Sequence, residues 1–95
     1  MNDERYPASY PVYMANAVGN LNREYTADIL AAHPRSKFIG RVVVITTNRE
    51  QRALVRFGQT RHEKRFTAGR RISADALAVF VQESADMTFA PAPTF

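Results

Sequence analysis

Six consecutive β-branched residues, Val42-Val43-Val44-Ile45-Thr46-Thr47, end the run Phe38–Thr47 and limit the fold more than any other segment. Such side chains are stiff at χ1 and pack best on a pleated surface, so the run is expected to be a strand. A polar turn at Asn48-Arg49 follows. Residues 52 to 57 then alternate strictly, with Ala53, Val55 and Phe57 on one side and Arg52, Leu54 and Arg56 on the other, which is the pattern of a half-buried strand. A two-residue loop (Asn48-Arg49) and a four-residue loop (Thr47 to Glu50) both set Thr46 opposite Gln51, so the hairpin has one register. One face then holds Val42, Val44, Ala53, Val55 and Phe57 and is a core face. The other holds Arg41, Val43, Ile45, Arg52, Leu54 and Arg56, with Arg41 directly opposite Arg56. Like charges in that position destabilise a sheet by a few tenths to about 1 kcal/mol, a cost that an anion lying between them would offset.

Gly58-Gln59-Thr60 reads as a second turn, and His62 to Ala68 as a more polar third strand at a sheet edge, closed by Gly69. Counting across Gln59-Thr60 sets Glu63 beside Arg56 and Arg65 beside Leu54. Lys64 falls on the core side and has to snorkel from the edge, unless a bulge resets the third strand. Ser73 has the chemistry of an N-cap, with Asp75 near the positive end of a helix. Leu77, Phe80, Val81 and Ser84 share one side of that helix. Upstream, Met14, Val18, Leu21, Tyr25, Ile29 and Ala32 recur at steps of three and four, which predicts an amphipathic helix from about Tyr10 to His33. Gly19-Asn20 weakens or splits it, and Pro34 ends it.

The expected architecture is therefore α+β: an N-terminal helix, whole or split, a three-stranded antiparallel meander and a C-terminal helix, in the order α-β-β-β-α. Residues 1–8 are expected to be a flexible lead-in, 9–86 a single domain, and 87–95 an extended Pro-containing tail. The element order resembles that of the double-stranded-RNA-binding domain, whose last helix opens on a basic cluster aimed at phosphates. Arg70 and Arg71 stand near the corresponding place. The likeness is one of order alone, because that family's glycine-rich, lysine-paired entry to the helix and its aromatic pattern are missing.

Charge is concentrated in the middle of the chain. The formal net charge is +4. From Arg41 to Arg71 nine basic residues face two acidic ones, a balance of +7, whereas the remainder holds four basic and seven acidic residues, or −3. Eleven of the thirteen basic residues are arginine, whose planar fork suits phosphates and carboxylates. This asymmetry implies an anionic partner, either nucleic acid or an acidic protein surface.

Catalytic signatures are absent. Without cysteine there is no disulfide, thiol nucleophile or thiolate metal site. His62-Glu63 opens like a zinc-protease motif, but Phe66 stands where the second histidine belongs. His33 precedes Pro34 and suits a helix end. The serines lack a nucleophile-elbow context, and the glycines at 19, 40, 58 and 69 are too far apart to cradle a phosphate. No enzymatic activity, cofactor or metal is expected. No apolar run approaches the roughly 20 residues of a membrane span, and no secretory signal is visible, so a cytoplasmic protein without membrane association is expected.

The residues expected to meet the partner are Arg41, Arg52, Arg56 and Arg65 on the sheet, and Arg70 and Arg71 ahead of a helix N-terminus whose free N–H groups favour anions. The expected function is a small non-enzymatic binding module for nucleic acid or a nucleic-acid-processing complex. The alternative is an inhibitor of the phage or mobile-element type (the anti-CRISPR or anti-restriction class), acting by protein–protein occlusion. A homodimer covering the arginine face is compatible with either. Stacking on single-stranded bases requires aromatic rings on the basic face, and Phe57 points away from it.

Overall fold

The computed structural model describes residues 11–32, 36–66 and 72–89. The β-branched run lies at the centre of one antiparallel sheet. Its strands are β1 (Val12–Gly19), β2 (Glu24–Ala32), β3 (Ser36–Thr46), β4 (Gln51–Phe57) and β5 (Thr60–Phe66), followed by helix α1 (Ala74–Phe89). The spatial order is the chain order, β1-β2-β3-β4-β5.

This corrects the expected α-β-β-β-α order: among the described residues the stretch expected to be an N-terminal helix forms β1 and β2, and the meander has five strands rather than three. The resemblance in element order to the double-stranded-RNA-binding domain goes with it. The physical reason is a second periodicity in the same residues. Tyr25, Ala27, Ile29 and Ala31 alternate with Glu24, Thr26, Asp28 and Leu30, and the first set points into the core. Alanine carries half of that alternation, so it is faint beside the helical spacing of the larger side chains. Tertiary pairing then decides. Once β4 occupies one edge of β3, its other edge presents unpaired N–H and C=O groups, and β2 satisfies them. Gly19-Asn20 makes a turn instead of a helix break. Gly19 has φ +97°, a Cβ there would lie 2.1 Å from the Glu24 carbonyl oxygen, and Arg23 N–H donates to the Asn20 carbonyl at 2.9 Å.

The β3–β4 register matches the sequence argument: Thr46 opposes Gln51 and Arg41 opposes Arg56. Val42, Val44, Ala53, Val55 and Phe57 are buried. Helix α1 covers this face through Leu77, Phe80, Val81, Ser84 and Ala85, packing on β1, β4 and β5. Ser73 caps it, accepting from Ala76 N–H at 3.0 Å through Oγ. The helix continues through Met87, Thr88 and Phe89, into the stretch read from its prolines as extended.

Two polar residues tie the layers together. Buried Gln51 donates to the Leu21 carbonyl at 2.9 Å and to Thr46 Oγ1 at 2.8 Å, while its Oε1 accepts from Ile72 N–H at 2.7 Å. His62 pairs its Nε2 with Thr88 Oγ1 at 2.7 Å and joins the edge strand to the helix. Lys64 lies on the core side of β5 and stays exposed, its Nζ 5.4 Å from the Phe66 ring centre. The helix covers one face of the sheet only.

Candidate functional site

The face of the sheet turned away from α1 carries the arginines. Its local geometry is set by two irregularities that no alternating pattern reveals. The first is the β4–β5 turn. Phe57 pairs with Thr60 across the two-residue loop Gly58-Gln59, and Gly58 has φ +61°. A glycine leading such a loop supplies the positive φ that a tight hairpin needs. The register therefore differs by two residues from the count across Gln59-Thr60. Arg61, not Glu63, stands opposite Arg56; Glu63 opposes Leu54; Arg65 opposes Arg52. A shift of two keeps every side chain on its face and changes only its neighbours.

The second irregularity is a bulge in β3. Ile29 pairs with Gly40 and Leu30 with Phe38, so Ile39 is an extra residue. Strict alternation from Val42 would turn Phe38 toward the core. The bulge turns it to the arginine face instead, where it is 59% exposed. Gly40 is required beneath it, because a Cβ there would lie 2.4 Å from both the Arg56 carbonyl oxygen and the Phe57 ring. Tyr13, opposite Leu30 on β1, is a second exposed ring on this face, its hydroxyl bonded to Ser36 Oγ.

One row across the sheet consequently reads Asp28, Arg41, Arg56, Arg61, on β2 through β5. Neighbouring strands lie about 4.8 Å apart, so the three arginines rise from a strip of backbone about 10 Å long. Asp28 is the acidic end of the row. It accepts from Asn16 Nδ2 at 2.9 Å, and from Arg41 Nε at 3.4 Å and Nη2 at 3.3 Å. The Asn16 hydrogen bond, aided by Arg41 and opposed by desolvation, holds its carboxyl below the ordinary 3.8. Asn16 reaches it from a bulge in β1, with φ +55°. Arg56 Nε donates to the Gly58 carbonyl at 2.9 Å. Among the described residues, neither Arg56 nor Arg61 has a carboxylate partner, and both are exposed.

The other half of the face is neutralised. Glu63 Oε2 lies 3.3 Å from Arg52 Nη1 and 3.8 Å from Arg65 Nε, and Glu50 Oε2 lies 3.5 Å from Arg52 Nε. Arg52 and Arg65 share the face with Arg41 and Arg56, but their charge is largely met within the protein. Val43 and Leu54 lie half-buried between the two halves, and Ile45, also half-buried, extends this apolar strip beside Arg52. Arg70 and Arg71 lie outside the described residues, as does His33. The structure thus joins Arg41 and Arg56 with two residues that sequence reasoning left out of the site, Arg61 and Phe38. The Gly58-Gln59 pair signalled the first; Gly40 inside a β-branched strand was the trace of the bulge behind the second.

Among the described residues no group of three or more His, Asp or Glu is placed to hold a metal ion, and no helix is long and apolar enough to cross a membrane. No protein-family model, curated protein or solved structure matches this chain.

Proposed function

We propose that the chain is a non-catalytic module that binds single-stranded nucleic acid on the uncovered sheet face. The observation that supports this most is the row Arg41–Arg56–Arg61, three cations directly opposite one another with one carboxylate at its end, beside the exposed ring of Phe38. Such a row opposes folding unless an anion lies over it. A phosphate backbone crossing the strands meets one arginine per strand. A base stacks on Phe38 without regard to its identity, because every base has a π-face. An open sheet face with a projecting ring suits splayed, unstacked bases.

The test is fluorescence anisotropy of a labelled single-stranded oligonucleotide over a range of salt concentrations. Three neutralised phosphates give a slope of about −2 in log affinity against log salt, from about −0.7 per phosphate on single strands. Absent binding, or binding indifferent to salt, contradicts the proposal.

The apolar strip Val43, Ile45 and Leu54 favours a second reading, in which an acidic protein surface occupies the same face and the chain acts by occlusion. That reading expects a protein partner that survives nuclease treatment and is lost on Leu54→Lys, with weak binding to free oligonucleotide.

A further inference from the structure

A shallow depression of about 340 Å³ opens on the arginine face, lined by Phe38, Gly40, Arg41, Arg56 and Gly58. We infer that it is a site for a phosphate monoester attached to a planar base, the chemistry shared by a free nucleoside 5′-monophosphate and the 5′-phosphorylated end of a strand. The inference rests on the proposed binding face and adds what the face selects.

Three features carry it. Both lining guanidiniums are held in place by a neighbouring acceptor. Arg41 is held toward β2 by Asp28, and Arg56 toward the turn by the Gly58 carbonyl. A guanidinium has five N–H donors, so Arg56 keeps four and Arg41 three for a ligand, and the anchoring lowers the entropy lost on binding. The second feature is charge. Arg41, Arg56 and Arg61 less Asp28 leave the row at +2. A phosphomonoester carries about −1.5 to −2 near neutral pH, whereas an internal diester carries a single charge and leaves the row half matched. The third is the ring: Phe38 forms one wall and is 59% exposed, so a base tethered to the bound phosphate has a stacking surface beside it.

The experiment compares four probes on the same protein: adenosine 5′-monophosphate, adenosine, and one oligonucleotide with either a 5′-phosphate or a 5′-hydroxyl. A charge-assisted hydrogen-bond pair gained in the site tightens binding about tenfold or more. The 5′-phosphate is therefore expected to improve oligonucleotide affinity by about that factor, and the nucleotide to bind where adenosine does not. Arg41→Gln and Arg56→Gln, both at exposed positions, each remove most of that gain, and Phe38→Ala weakens both phosphorylated probes. Equal affinity for the two oligonucleotides, with both binding, overturns the inference and leaves the strand-binding reading intact. Binding of the nucleotide with neither oligonucleotide upholds the site and ends the strand-binding reading. Failure of all four probes overturns both.

Discussion

Replacing Arg56 with threonine is expected to stabilise the fold while weakening the proposed binding of nucleic acid. Arg56 stands between Arg41 and Arg61, directly opposite each. Each like-charge neighbour across a strand pair costs about 0.2–1 kcal/mol, so the two contacts together cost roughly 0.5–1.5 kcal/mol. Against this, Arg56→Thr loses the exposed hydrogen bond to the Gly58 carbonyl, worth about 0.5 kcal/mol. Threonine suits a strand at least as well as arginine does. The net expectation is a gain of up to about 1 kcal/mol, or up to roughly 8 °C in melting temperature for a domain of this size. Paired urea melts at low and high salt read it directly. Screening shortens the Debye length from about 30 Å at 0.01 M to about 3 Å at 1 M, so the gain shrinks as salt rises. Arg65→Thr is the internal control. Arg65 also faces an arginine, but Glu63 lies between the two, so its loss brings no gain. A destabilised Arg56→Thr protein, a gain that persists in high salt, or an equal gain from Arg65→Thr would each refute the reasoning that the row is uncompensated.

Three further outcomes follow from the same structure. Gln51→Leu leaves the buried Ile72 N–H and the Leu21 carbonyl without their partner; a loss of about 2–4 kcal/mol in urea unfolding is expected, at about 1–3 kcal/mol per unsatisfied group. Ser84 is fully buried and its Oγ has no hydrogen-bond partner among the described residues, so Ser84→Ala is expected to raise stability by about 0.5–1 kcal/mol, checked by thermal unfolding. Asp28 has a lowered folded-state pKa. Its stabilising contribution is therefore complete above the ordinary carboxylate value and lost as pH falls through the lowered one. Wild type is accordingly expected to exceed Asp28→Asn in stability at about pH 6 and to converge with it at about pH 2 in urea melts.

The parts of the fold that sequence reasoning reached were those where local signals agreed. Both loop lengths after β3 give one pairing, so the Arg41–Arg56 contact follows from either. Around α1, the Ser73 cap and the Leu77, Phe80, Val81, Ser84 stripe indicate the same helix. The N-terminal third misled because one set of residues fits two periods. Met14 and Ile29, spaced as if on one helix face, instead face each other across the β1–β2 pair. What settles the matter is the unsatisfied edge of β3, which lies outside that segment. The arginine row depended on subtler facts. A turn beginning at Gly58 rather than Gln59 exchanges Glu63 for Arg61 as the neighbour of Arg56. One extra residue at Ile39 moves Phe38 from the core side to the arginine side. Neither changes the composition or the hydrophobic pattern by which faces are assigned.

The central claim is that the uncovered face around Arg41, Arg56, Arg61 and Phe38 receives single-stranded nucleic acid. It is tested most directly by titrating an oligonucleotide into isotope-labelled protein and following every backbone amide by NMR. Shifts confined to the segments around Phe38–Arg41, Arg56–Arg61 and Tyr13, with α1 unchanged, are predicted. Shifts centred on α1, or an unchanged spectrum at saturating oligonucleotide in low salt, would contradict the account.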